Sequence, residues 1–291
     1  MNICGKDIIW SKGPIRDNYS KVGTEKNTEE ELLIEKIKIS SKIIWIRLGS
    51  YKTKRDLDIF SSNIDKLKNP VDLITTDGDR NVPSSYSEET INNILNSNKI
   101  LSWRTQNYDR TIIHKKLKHY PIGFNLHTKK WLVNKSIEDK IKFMIENRKK
   151  PSEKIVNRIF CDSGMRARHR ARKKMYNKIK DNELIDFTPN RLSFVDIYSK
   201  YTEYLFVISP RGNGLDCHRT WELFLAGCIV IMESSALDSM FINNNLPVII
   251  IKNYEELNTN LTRKLKIWKE EIEPLTLIDN IIPKLKSMYW G

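Results

Sequence analysis

No apolar stretch of this 291-residue sequence approaches the roughly 20 residues that a bilayer-spanning helix needs. The opening MNICGKDIIWSKGPIRDN also lacks the apolar core of a secretory signal, so a soluble, cytoplasmic protein is expected. Cysteine is sparse. Cys4, Cys161, Cys217 and Cys228 form no CxxC pair and have no histidine at zinc-finger spacing, so they read as reduced structural thiols rather than metal ligands. Three phosphate- or nucleic-acid-binding signatures are missing as well: the P-loop, the dinucleotide G-x-G-x-x-G fingerprint and the aromatic RNP pattern. No repeat of the solenoid kind is present. Acidic residues are outnumbered, 36 against 50 Lys and Arg, which leaves a net charge of +14. Heavy use of Lys, Ile and Asn is that of an AT-rich genome, viral or microbial.

The most informative segment runs from Leu205 to Met232. A β-branched apolar run breaks at Pro210 and passes through Gly212-Asn213-Gly214. It then becomes a stretch whose large apolar residues recur three and four apart, before a second β-branched run. The pattern predicts strand, glycine loop, helix, strand. Glycines let the backbone approach a ligand, and a helix N-terminus offers unsatisfied N–H donors and positive potential, so an anion such as phosphate is the expected ligand. Arg211 and Arg219 flank that point. Glu222 follows Arg219 by three residues and His218 by four, so the three are expected on one helix face, with the carboxylate placed for ribose hydroxyls. Polar residues gathered at the C-terminal edge of a parallel strand favour a binding site over an ordinary βαβ turn.

The segment from Phe206 to about Asp238, FVISPRGNGLDCHRTWELFLAGCIVIMESSALD, resembles the nucleotide-sugar motif in the C-terminal domain of exostosin-like glycosyltransferases and similar GT-B enzymes. The resemblance implies an α/β protein of the GT-B class, two Rossmann-like domains facing across a cleft. It also implies a nucleotide-sugar donor, a UDP- or GDP-sugar, with no cofactor or metal required. Gly212 and Gly214 would meet the donor diphosphate, Arg219 would neutralise it, and Glu222 would hold the ribose. The implied reaction is inverting transfer of a sugar to a hydroxyl of a glycan or glycoconjugate. The absence of a membrane segment departs from animal exostosins, so their substrates are not carried over.

Other residues fall into place around that motif. Ile155–Gly164 reads as a strand ending in Asp162, Ser163 and Gly164, followed by the basic run Arg166–Lys174. Ser163, Gly164, Arg166 and Arg170 are therefore donor-phosphate candidates, with a solvated surface helix as the plainer alternative. A nucleic-acid-binding protein is the non-enzymatic rival, because clustered Lys and Arg is the footprint of a phosphate-backbone binder, but no RNP-type or zinc-finger pattern supports it and a nucleic-acid partner is not expected. In the N-terminal half, Asp77-Gly78-Asp79 closes an apolar strand. As a D-x-D motif it would hold a divalent cation in a metal-dependent GT-A enzyme. In a GT-B enzyme Asp79 or Asp77 would be free to take the acceptor proton, with Asp109 and His127 as weaker cleft candidates. Each also has a structural reading, as a turn cap or an interdomain contact.

Alternating strands and helices predict parallel sheets in both halves. The expected division is an acceptor-side domain over 1–135, a linker over 136–152 around the helix Ser136–Lys150, and a nucleotide-sugar domain with C-terminal helices over 153–291. Strands are expected at 42–48, 70–76, 99–103, 117–126, 155–160, 184–187, 204–209, 228–232 and 247–251, with a polar, surface-wrapping N-terminus.

Overall fold

β-branched and aromatic runs form two all-parallel sheets, joined by helices that cover their faces. In this computed structural model the described residues are 7–12, 30–40, 42–49, 56–126, 136–162, 169–188 and 190–290. The first sheet holds β1 (Ile43–Gly49), β2 (Val71–Gly78), β3 (Ile100–Thr105) and β4 (Leu117–His119) in that order. The second holds β5 (Ile155–Cys161), β6 (Ile185–Phe187), β7 (Tyr204–Ile208), β8 (Ile229–Glu233) and β9 (Val248–Ile251) in the order β6-β5-β7-β8-β9. All pairings within both sheets are parallel. β7 is buried at every position, as a central strand covered on both faces should be. The fold is thus α/β, with two Rossmann-like sheets.

Helix boundaries follow their caps. α3 (Glu88–Asn96) starts where Ser87 Oγ accepts the Thr90 N–H, and α4 (Ile137–Glu146) opens on a capping box between Ser136 and Asp139. α7 (His218–Ala226) ends at Gly227, whose φ of 76° closes the helix in the left-handed conformation. α5 (Arg170–Ile179) and α6 (Phe194–Glu203) flank the second sheet.

Several elements differ from the sequence expectation. The expected strand over 117–126 is paired through His119, and Tyr120 N still donates to Thr105 O at 2.9 Å; beyond it Pro121 has no N–H and Gly123 has φ 65°, so 121–126 leaves the sheet. That segment docks against the second half instead. α1 (Glu30–Ile39) and α8 (Asp238–Asn243) have no counterpart among the expected elements, and α2 (Asp56–Ser61) is followed by a 3-10 turn. Residues 7–12, expected on the surface, are largely buried: Ile9 donates to Leu285 O at 2.9 Å and accepts from Phe124 N at 3.0 Å. The chain's last turn returns to the same place, with Trp290 edge-on to Trp221 at 5.7 Å. One apolar cluster therefore runs from Trp45 and Ile74 through Tyr120–Leu126 to Trp221, Phe224 and Trp290, across the junction of the halves. Among the described residues no helix is long and apolar enough to cross a membrane.

Candidate functional site

The loop after β7 meets the strand ends of the first sheet. Asn107, just beyond β3, is buried with φ 55°; its Nδ2 donates to Gly78 O at 3.1 Å, and its Oδ1 accepts from Asp216 N at 2.9 Å. A Cβ on Gly214 would lie 2.7 Å from the Asn107 amide, so this glycine is required by the approach of another lobe's side chain. Gly212 differs, because a Cβ there would meet only ordinary contacts. Asn213 Nδ2 reaches Asp79 Oδ2 at 3.3 Å. The C-terminal edges of the two sheets thus face one another, with the glycine loop and Asp79 in contact.

Asp216 pins the junction. Its carboxylate accepts from Ile122 N at 2.7 Å, Cys217 N at 2.8 Å and Trp221 Nε1 at 3.0 Å. Burial pushes its pKa up to about 6, against the pull of these donors. It serves as the carboxylate before an α7 whose N-cap, Cys217, supplies no side-chain bond.

A cavity of about 120 Å³ sits over the ends of β7 and β8 and the first turn of α7. Its walls include Ser209, Pro210, Arg211, Cys217, Thr220 and Glu233–Ser235. Ser209 and Thr220 hydroxyls are 2.9 Å apart. Through Arg211 and Ala171 this cavity adjoins an open groove of about 590 Å³, bordered by His169, Arg170, Lys174, Gly212 and Asn213. Ser209, Thr220, Glu233, Ser234 and Ser235 were not singled out in the sequence. The signal for the last three was their position at the end of β8, the same edge that exposed Arg211.

The expected shared face of His218, Arg219 and Glu222 divides in two. His218 Nδ1 lies 2.8 Å from Gly123 O, and Glu222 Oε1 accepts from Lys140 Nζ at 3.0 Å, so both face the lobe junction. Lys140 is 1% exposed on α4; burial lowers its pKa and Glu222 partly restores it. Its ammonium also donates to Asn125 O and lies 4.1 Å from the Phe194 ring. Glu222, expected to hold ribose, is a buried ion-pair partner here and does not border the cavity. Arg219 turns the other way, to Asp162 Oδ2 at 3.0 Å, where Tyr201 Oη also donates at 2.8 Å. Burial works against the Arg219 charge, but Asp162 and Tyr201 outweigh it and raise the pKa. Arg219 is therefore not a free cation, although its enclosed Nη1 has no partner.

The acidic pair of the first sheet separates too. Asp77 has φ 59° and its Oδ2 accepts from Lys12 Nζ at 2.9 Å and Arg47 Nε at 3.0 Å, which opposes use as a base or as half of a D-x-D metal site. Gly78 between them is required because its Cβ would lie 2.3 Å from Gly49 O. Asp109 caps a turn, accepting from Ser84 N and from Thr111 N and Oγ1. Arg170 is exposed on the groove. Ser163, Gly164, Arg166 and His127 lie outside the described residues.

The sequence matches no protein-family model and no curated protein. Among solved structures it is similar to an alpha-glucosyltransferase in complex with UDP-glucose and DNA containing an abasic site: 10% identity, TM-score 0.40, over 90% of this chain and 78% of that one. It is also similar to WaaG, a glycosyltransferase involved in lipopolysaccharide biosynthesis: 11% identity, TM-score 0.31, over 84% and 97% of the two chains. At these scores neither likeness assigns a substrate or a residue role to this protein.

Proposed function

We propose that this protein is a GT-B glycosyltransferase, of exostosin-like type, that uses a nucleotide-diphosphate sugar without a metal. The observation that carries the reading is the meeting of the glycine loop with Asp79, where two parallel sheets oppose their C-terminal edges. Ligands of open α/β sheets bind at that edge. The diphosphate would lie along Gly212 and Arg211 at the N-terminus of α7, within reach of the Ser209 and Thr220 hydroxyls. In the transfer, the anomeric C–O bond to the diphosphate breaks as the acceptor oxygen bonds to the anomeric carbon. The acceptor proton goes to Asp79, and the nucleoside diphosphate leaves with the bonding electrons. Stabilising charge on that leaving group is the main contribution of the loop and Arg211. Direct displacement of this kind inverts the anomeric carbon.

The test is a transfer assay against a panel of sugar nucleotides, with product configuration read by NMR. Asp79→Asn is expected to lower kcat by about 10²- to 10⁴-fold while nucleotide affinity is kept. An Asp79→Asn protein as active as the parent would remove Asp79 from the mechanism.

A further inference from the structure

We propose that the open groove beside the glycine loop is a phosphodiester site, and that the acceptor is a nucleic acid. The word acceptor rests on the glycosyltransferase reading; the binding site does not. Arg170 and Lys174, one turn apart on α5, stand on one side of the groove, and Arg211 and Asn213 of the glycine loop stand on the other. Arg170, Lys174 and Arg211 are exposed, and among the described residues none has an ion-pair partner. Lys173 is exposed in the same turn, and Arg172 is tied to the far wall through Nε to Arg211 O at 3.3 Å.

Three exposed cations from two elements, Arg170, Lys174 and Arg211, therefore border the groove where the first turn of α5 has no acidic residue and His169 supplies no side-chain cap. Positive side chains at the positive pole of a helix are mutually unfavourable unless an anion joins them. Burial and the charges of Arg172 and Arg211 lower the His169 pKa, which reports the same positive potential.

The donor diphosphate is one short anion, and the cavity by Arg211 and α7 accounts for it. Arg170 and Lys174 extend the positive wall by about 6 Å along α5, which suits an anion that repeats. Among the described residues no Phe, Tyr or Trp borders the groove and His169 is its one ring, so contact with phosphates outweighs stacking on bases or sugars there. Phosphate spacing along a nucleic-acid backbone meets such a row of cations, and the excess of 14 positive charges favours the same partner. A strand lying there would pass Asn213, whose amide is in contact with Asp79. This replaces the glycan or glycoconjugate acceptor that the family resemblance implies and departs from the expectation of no nucleic-acid partner.

The experiment is fluorescence anisotropy of the full chain with a short labelled DNA duplex across a salt series, beside calorimetry with UDP and GDP on the same preparation. About four phosphate contacts give a slope of log K against log salt near −3.6, or a loss of roughly 100-fold between about 50 and 200 mM. The variant Lys174→Ala is expected to reduce that slope by about 0.9 with nucleotide affinity and melting temperature unchanged. Nucleotide binding without salt-dependent duplex binding overturns the nucleic-acid site and leaves the enzyme reading standing. Heparin binding more tightly than the duplex at equal charge assigns the groove to an anionic glycan and also overturns the proposal. Duplex binding without binding of either nucleotide removes the enzyme reading, and the acceptor role with it.

Discussion

Asp77 and Asp79 are two residues apart and have different partners, and the difference decides their chemistry. Asp77 is held by Lys12 and Arg47, whereas Asp79 meets the glycine loop of the opposite lobe. The same contrast separates two arginines. Arg211 is exposed on the cavity, so Arg211→Ala should weaken nucleoside diphosphate binding by about 2 kcal/mol, roughly 30-fold, with no change in melting. Arg219 pairs with the half-buried Asp162, so Arg219→Ala should cost about 2 kcal/mol of stability by removing a charged donor from a carboxylate that keeps Tyr201, which thermal unfolding will register. Asp216 adds a pH signature. Its folded pKa, about 6, lies above the unfolded value near 3.9, so the folded state binds the extra proton between them. Its contribution is therefore full below about pH 4, falls by about 3 kcal/mol as pH rises to about 6, and is flat beyond. Asp216→Asn should remove that part of the slope in denaturation curves taken from pH 4 to 7; an unchanged slope would mean that Asp216 does not titrate there.

At the scale of elements, α7 shows what could and could not be read in advance. Its span and the strands beside it were legible, because β-branched runs, Pro210 and Gly227 mark strand, loop and cap without help from distant residues. Its faces were not, because they depend on what packs against them: Lys140 on α4 takes Glu222, and Asp162 at the end of β5 takes Arg219. Gly214 was legible as a glycine that something approaches, but the thing that approaches is Asn107, some hundred residues earlier in the chain. The segment 121–126 reads as strand but is not one for a related reason, since its partners are Ile9 and Asp216 rather than a neighbouring strand. Lys140→Ala should cost about 3 kcal/mol through the stranded Glu222 carboxylate, and Lys140→Met with Glu222→Leu should restore much of it. Glu222→Gln adds a functional arm. Nucleotide affinity unchanged in that variant fits an ion pair at the lobe junction; a marked loss would return Glu222 to the ribose.

At the scale of the whole molecule, two sheets are held edge to edge by a continuous apolar cluster and by polar ties. Among the described residues these include Asn107 to Asp216, Ile122 to Asp216, Gly123 to His218, Asn125 through Lys140 to Glu222, Asp79 to Asn213 and Arg110 to Ser239. Residues 7–12 and the final turn are stitched into the same junction, so truncation of either end should disturb the site and not merely shorten the chain. That frame fixes the glycine loop against Asp79, and the proposed nucleoside diphosphate would lie beside them, along Arg211 and Gly212 at the start of α7. The most direct measurement is isothermal titration of the full chain with UDP and GDP, each in Mg²⁺ and then in EDTA, repeated on Arg211→Ala. The account predicts binding that survives EDTA and weakens roughly 30-fold in the variant. Binding that disappears in EDTA, or that is indifferent to Arg211, would contradict it.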